Sequence, residues 1–271
     1  MTKITKITTQ KRNKHRYNIF IEKNSKEQYA FSVEEETLIS EGLKKGLILD
    51  QITMESLTRA DHLNKTYNKV LNYLSYRMRS TEEVRTYLLE HELEEEQIQV
   101  LIDRLNRQKL LDDQAFADAF VATKINSGFR GPGQIRTELF QKGIKQPLIE
   151  QALIRYPESD QVEKIEAWLT KQLKKSTRQS HRQQMNKLKQ QLRQKGFDQS
   201  TIDHVFQQIT FKKDEQEEWQ SLVYQGEKAL RRYQTKAEGY LLLQKIKASL
   251  YRKGFNQELI NRFIEQHVDS N

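Results

Sequence analysis

Apolar positions return along this chain in one arrangement around four leucines, Leu88, Leu139, Leu192 and Leu250, which lie 51, 53 and 58 residues apart. Four residues before each leucine stands Val84, Ile135, Leu188 or Ile246, and ten residues after it Ile98, Ile149, Ile202 or Ile260. Thirteen and fourteen residues after it come Leu101 and Ile102, Ala152 and Leu153, Val205 and Phe206, or Phe263 and Ile264. Spacings of three and four are the helical period, and the register is lost between the two halves. Each copy therefore predicts helix, tight turn, helix.

Gly143, Gly196 and Gly254 stand where the first of those helices must stop, since glycine reaches the left-handed conformation just past a helix end without steric cost. Lys142, Lys195 and Lys253 precede them and complement the negative end of the helix dipole. Contact with a partner is the second reading of these lysines. The first copy breaks the pattern, with His91 and Glu92 in place of lysine and glycine.

Apolar clusters at Val70, Leu71 and Leu74, and at Phe120, Val121 and Ile125, precede their leucines by nearly equal distances and predict a third helix per copy. Clusters at Ile165, Trp168, Leu169 and Leu173, and at Leu222, Val223 and Leu230, lie further upstream, predicting longer first helices or loops in the later repeats. A three-helix unit of about 50 residues buries little apolar surface alone, and stacking on its neighbours supplies the missing contacts. The expected fold is mainly α, an elongated, curved array of tandem three-helix repeats preceded by a small antiparallel β-rich segment. The segment covers 1–60, and the repeats cover 61–110, 111–157, 158–211 and 212–271.

Within the first 60 residues, Ile4 to Thr9, Tyr17 to Glu22 and Gln28 to Val33 read as strands, the last two with clear alternation. Lys23, Asn24, Ser25 and Lys26 predict the turn between them. Ser32 is a candidate cap for a short helix carrying Leu38, Ile39 and Leu43, and a second helical stretch begins near Gln51. Lys11, Arg12, Lys14 and Arg16 form a basic loop, read as solvated, with nucleic-acid contact as the alternative.

Charge changes the picture in one place. Of the net +9, residues 161–213 hold +8, with 12 basic against 4 acidic side chains. Lys164, Lys171, Lys174, Lys175, Arg178, Arg182, Lys187, Lys189, Arg193 and Lys195 all fall there. Such a field attracts polyanions or an acidic protein surface, with affinity that falls as salt rises. With 31% charged residues, the composition suits an extended array with much surface. No apolar run is long enough to span a membrane, no signal peptide precedes the first repeat, and a cytoplasmic setting is expected. Zero cysteines exclude disulfides and thiolate sites.

Catalytic and metal-binding patterns are not found. The six histidines never take a two-histidine helical spacing. Asp112 with Asp113, and Glu94 to Glu96, read as helix-start charges in place of metal ligands. Gly128, Gly131 and Gly133 lack the Gly-Lys-Ser/Thr step of a phosphate loop, and Pro132 marks instead the first turn of the helix carrying Ile135 and Leu139. Ser80, with Glu83 three residues later, predicts a capping box, and Phe116, Phe120 and Val121 form a core stripe. The expectation is a binding protein without cofactor, not an enzyme.

The segment from Leu110 to Ile144, LLDDQAFADAFVATKINSGFRGPGQIRTELFQKGI, resembles the central module of the bacterial RecX family. YLSYRMRSTEEVRTYLLE, from Tyr73 to Glu90, is similar to that family's first-repeat motif, with Arg77 and Ser80 ahead of Glu82 or Glu83. The resemblance implies a modulator of the RecA recombinase that lies along the RecA filament on single-stranded DNA and restrains its growth, strand exchange and ATP hydrolysis. It leaves Arg77 and Arg130 as candidate partner contacts beside local salt bridges or carbonyl capping. Lys142, Lys171, Lys174, Lys175, Arg178, Lys195 and Lys253 complete the candidate set, and the chain is expected to act as a monomer. The competing reading is a direct, sequence-independent DNA-binding protein whose third repeat grips phosphate. No stacking platform of aromatics is evident in the sequence to support it.

Overall fold

The structure is a computed structural model that describes residues 2–11, 13–91, 93–175, 177–209 and 214–268. Arg12 and Glu92 of the sequence analysis lie outside the described residues.

Three of the four strands lie where the sequence predicts them, though Tyr29 of the third is exposed, past a register shift between Ile19 and Phe20. β1 (Thr2–Thr9), β2 (Arg16–Lys23) and β3 (Lys26–Glu34) form an antiparallel meander, and β4 (Ile48–Leu49) joins the free edge of β1, giving the order β3-β2-β1-β4. Asn24 and Ser25 take φ of 55° and 59°, the paired left-handed values of a two-residue hairpin turn whose twist matches the flanking strands. Ile4, Ile19 and Val33 alternate inward and are fully buried with Leu43, Leu49 and Leu57.

Two expectations in this segment are corrected. Ser32 does not cap a helix: it lies within β3, where its hydroxyl donates to Asn18 Oδ1 at 2.8 Å and accepts from Gln10 Nε2 at 3.1 Å. The short helix α1 (Glu35–Ser40) begins instead after Glu34, without a side-chain cap. Arg16 is no solvated loop residue either. It opens β2, and its guanidinium pairs with Glu34 at 2.9 Å and with buried Asp61 at 2.7 Å. Asp61 also accepts from the Glu34 amide at 2.6 Å, so one carboxylate fastens the sheet to the next helix.

That helix, α2 (Gln51–Ser75), starts at Asp50, whose side chain accepts from the Thr53 amide. Its first half lays Leu57 on the sheet. Its second half sends Tyr67 and Val70 into the core of the first repeat, which α3 (Thr81–Leu89) and α4 (Glu95–Arg107) complete. The second repeat comprises α5 (Asp113–Ser127), α6 (Pro132–Gln141) and α7 (Gln146–Leu153), and the third α8 (Glu158–Leu173), α9 (His181–Gln194) and α10 (Gln199–Gln208). The fourth comprises α11 (Glu215–Tyr233), α12 (Gly239–Arg252) and α13 (Gln257–His267).

The apolar positions counted around the four leucines are buried in every copy, except that Phe206 is half-buried under Lys189. The extra length of the later copies lies partly where it was not expected. The first helices α8 and α11 span 16 and 19 residues against 15 in α5, but α2, whose first half serves the sheet, is longer than either at 25. The middle helices also gain a turn, since α9 and α12 each have 14 residues against 9 in α3 and 10 in α6. Two compact units emerge, residues 1–117 with 141–145, and residues 118–140 with 146–271.

Candidate functional site

The start of one repeat's middle helix meets the end of the next repeat's middle helix, and this joint occurs three times. In the first, Ser80 caps α3: its Oγ accepts from the Glu83 amide at 3.1 Å while Glu83 returns a carboxylate to the Ser80 amide at 3.3 Å. The predicted capping box is therefore present. The same fully buried hydroxyl donates to the Lys142 carbonyl at 2.8 Å, and the Thr81 amide donates to Asp113 at 2.8 Å. In the third joint, Ser180 caps α9 by accepting from the Gln183 amide, donates to the Lys253 carbonyl, and is followed by His181, whose amide donates to Glu218 at 3.0 Å. In these two joints a carboxylate of the next repeat satisfies a helix-start amide, and the serine hydroxyl satisfies a carbonyl at the end of the next middle helix, groups that a free helix would leave to water.

The second joint uses glycine in place of serine. The Gly131 amide donates to the Lys195 carbonyl at 2.7 Å, and the Gly133 amide to the Gly196 carbonyl at 2.9 Å. A Cβ at Gly131 would lie 2.4 Å from the Gly196 carbonyl group, so two backbones touch where any side chain would part them. These glycines receive a neighbouring backbone, not a phosphate. At the helix ends, Gly143, Gly196 and Gly254 take φ of 75°, 85° and 83°, as a C-terminal cap requires. The first repeat has no repeat before it to dock there. His91 instead places Nδ1 2.9 Å from the Tyr87 carbonyl and packs on its ring.

The joints gather several candidate residues. Arg77 donates to the Met78 carbonyl and to both carboxylate oxygens of Glu83, at 3.1 and 3.2 Å, while Lys142 Nζ reaches Glu83 at 2.7 Å. Burial opposes ionisation of Glu83, but hydrogen bonds from Arg77, Lys142 and the Ser80 amide outweigh it and hold the carboxyl at about 2. Arg130 pairs with Glu138 at 3.2 Å beside Lys124, and its carbonyl accepts from Tyr156. Lys253 Nζ turns to Gln225, and burial lowers its pKa, aided by Lys228 and Arg232. Lys142 and Lys253 reach sideways into side-chain contacts, whereas Lys195 is exposed.

The basic third repeat separates into two populations. Lys164 turns inward to the Ile125 carbonyl, with its pKa lowered by burial, and Lys189 pairs with Asp203 at 2.8 Å. Lys171, Lys174, Lys175 and Arg178 are exposed around the loop from α8 to α9. α11 pins that loop from below: Ser221 donates to the Thr177 carbonyl at 3.0 Å and Gln225 to the Arg178 carbonyl at 2.8 Å. The Arg178 guanidinium lies 4.4 Å from the centre of the Tyr224 ring, within cation–π range. A backbone held by its neighbour presents cations at reduced entropic cost on binding.

Residues 2–50 match the regulatory protein RecX N-terminal domain, 67–105 the RecX first three-helix domain, and 112–153 the second. The third three-helix domain matches twice, at 158–206 and at 215–264. The chain belongs to the RecX family.

It is 46% identical over 97% of its length to a regulatory protein RecX of Halalkalibacterium halodurans, covering 99% of that protein. It is 44% identical to that of Oceanobacillus iheyensis over 99% of both chains. A crystal structure of regulatory protein RecX aligns with a TM-score of 0.66 at 36% identity, over 76% of this chain and 99% of that one. The RecX of Lactobacillus salivarius aligns with a TM-score of 0.53 at 37% identity, over 55% of this chain and 97% of that one.

Among the described residues of this RecX chain, no group of three or more histidine, aspartate or glutamate side chains is placed to hold a metal ion. Asp112 accepts from the Ala115 amide and Asp113 from the Thr81 amide, as helix-start charges do. No described helix is long and apolar enough to cross a membrane. Sequence reasoning missed Ser180, Glu218, Ser221 and Gln225, which organise the third joint and the basic loop. The equivalence of Ser180 with Ser80 was obscured because Ser180 stands 12 residues before its leucine and Ser80 only 8.

Proposed function

We propose that this protein regulates the RecA recombinase by binding along the RecA filament on single-stranded DNA, restraining its ATP hydrolysis and strand exchange. The reading rests on membership of the RecX family across nearly the whole chain. Tandem modules suit a helical polymer, because once one module is bound each further contact is effectively intramolecular. The exposed cations at Lys171, Lys174, Lys175 and Arg178 offer an acidic protein surface or a phosphate backbone the complementary charge. Arg77, Arg130, Lys142, Lys195 and Lys253 then serve as contacts or as supports for them.

RecA ATP hydrolysis on single-stranded DNA tests this directly, with the protein titrated from well below one molecule per RecA. Inhibition is expected well before the free DNA is saturated. Inhibition only in step with DNA coverage, or none, would move the function to direct DNA binding.

That second reading is favoured by one observation, the pinned and exposed basic loop. It makes its own prediction. Changing Lys171, Lys174, Lys175 and Arg178 together to glutamine should flatten the salt dependence of DNA binding by about one unit of slope per lost phosphate contact. Fluorescence anisotropy at several salt concentrations measures that slope, and an unchanged slope would remove the loop from any DNA contact.

A further inference from the structure

Tyr240, Gln244, Lys247 and Tyr251 stand at i, i+4, i+7 and i+11 on α12, spacings that set them on one face of the helix. They line an open groove of about 630 Å³, with Leu243 and Gln257. A second hollow of about 280 Å³ adjoins it where α12 ends against the start of α9, lined by Arg182, Gln183, Asn186, Arg252 and Lys253. Tyr251 lines both. No carboxylate lines either hollow.

The two tyrosines are 76% and 61% exposed, among the most exposed large side chains described. They are separated by about 16 Å along the helix axis, from the rise of about 1.5 Å per residue. Packing does not account for them, since the buried face of α12 is that of Ile246 and Leu250. Flat aromatic faces between amide and cationic side chains, in hollows lined by no carboxylate, match the chemistry of unpaired bases on a phosphate backbone. A duplex keeps its bases stacked on one another and offers no such faces.

We propose that this face of α12 and the hollow at its C-terminal end form a sequence-independent site for single-stranded nucleic acid. Bases stack on Tyr240 and Tyr251, while Arg182, Lys247 and Arg252 meet the phosphates. The amides of Gln183, Asn186, Gln244 and Gln257 supply hydrogen bonds to base edges or phosphate. None of Lys171, Lys174, Lys175 and Arg178 lines the two hollows, although Gln225 joins the Arg178 carbonyl to Lys253 at their edge, and the site does not rest on the RecA reading.

The test uses the full chain without RecA, so its failure leaves that reading standing. Binding of a short labelled oligo(dT) is followed by anisotropy across a salt series. Tyr240→Ala with Tyr251→Ala should weaken binding by about fivefold or more per tyrosine, with the salt slope retained. Tyr240→Phe with Tyr251→Phe should keep the affinity, which separates stacking from loss of structure. Arg182→Gln with Arg252→Gln should lower the salt slope by about 1.4, at about 0.7 per single-strand phosphate contact. Wild-type affinity in the alanine pair would overturn the proposal. So would an equal loss in the phenylalanine pair, or an equal loss on a duplex of the same length.

Discussion

Gly196→Ala is expected to destabilise the second unit by more than about 3 kcal/mol, the range reserved for mutations with an identifiable steric or strain mechanism. Two costs combine at this position. Its φ of 85° is strained for any side chain, and a Cβ there would stand 2.2 Å from the Gln134 amide nitrogen and 3.0 Å from its Cα. Both nearby atoms are backbone and cannot swing aside, so the joint between α6 and α9 must open.

Three further glycines separate the two costs. Gly131 is under no left-handed constraint, but a Cβ there would lie 2.4 Å from the Gly196 backbone, so Gly131→Ala should show the steric cost alone, about 2–3 kcal/mol. Gly239 has φ of 52° with open space around it, so Gly239→Ala should show the conformational cost alone, about 1 kcal/mol. Gly128→Ala, with neither feature, should stay within about 0.5 kcal/mol. Urea unfolding of the four variants measures the series. If Gly131→Ala were as mild as Gly128→Ala, the close approach of the two backbones would be wrong.

Glu83→Gln should cost about 2 kcal/mol at neutral pH, because Arg77 and Lys142 keep their charges and lose the carboxylate between them. The pH dependence follows from a folded-state carboxyl at about 2 against its ordinary value of 4.5. A depressed carboxyl stabilises the fold above its unfolded pKa. That contribution fades as pH falls from about 4.5 through about 2, where protons bind the unfolded state first. Since the Arg77 side chain is 48% exposed, solvent screening limits the amount lost over that window to about 1–2 kcal/mol. The stability difference between wild type and Glu83→Gln should therefore shrink on acidification. A difference that stays constant from pH 7 to pH 2.5 would show that Glu83 acts only through its hydrogen-bond geometry.

The two predictions converge on the same device, the joint between middle helices, which the sequence shows only in part. Ser80 and Glu83 were legible as a capping box because both partners are three residues apart and the chemistry is local. Lys142 was read as a complement to its own helix end, yet its ammonium serves a carboxylate 59 residues earlier in the chain. The basic third repeat was legible as a sum of charges. Which charges face outward was not, since Lys164 and Lys189 are drawn inward by partners that only the fold brings near. Tyr240 and Tyr251 escaped notice because eleven residues separate them, and a helix face is seen only once the helix ends are placed.

By itself, the sequence determined what depends on local periodicity and local stereochemistry. The apolar spacing around Leu88, Leu139, Leu192 and Leu250 set the helices and their buried faces, alternation set β2 and β3, and Gly143, Gly196 and Gly254 marked helix ends. The tertiary structure alone decided what depends on distance across repeats. Gly131 and Gly133 are glycine because a neighbouring backbone lies against them, and Ser180 is serine because its one hydroxyl must both cap α9 and donate to the Lys253 carbonyl. Such requirements leave no period in the chain, because they come from surfaces meeting between helices whose separation in sequence varies from copy to copy.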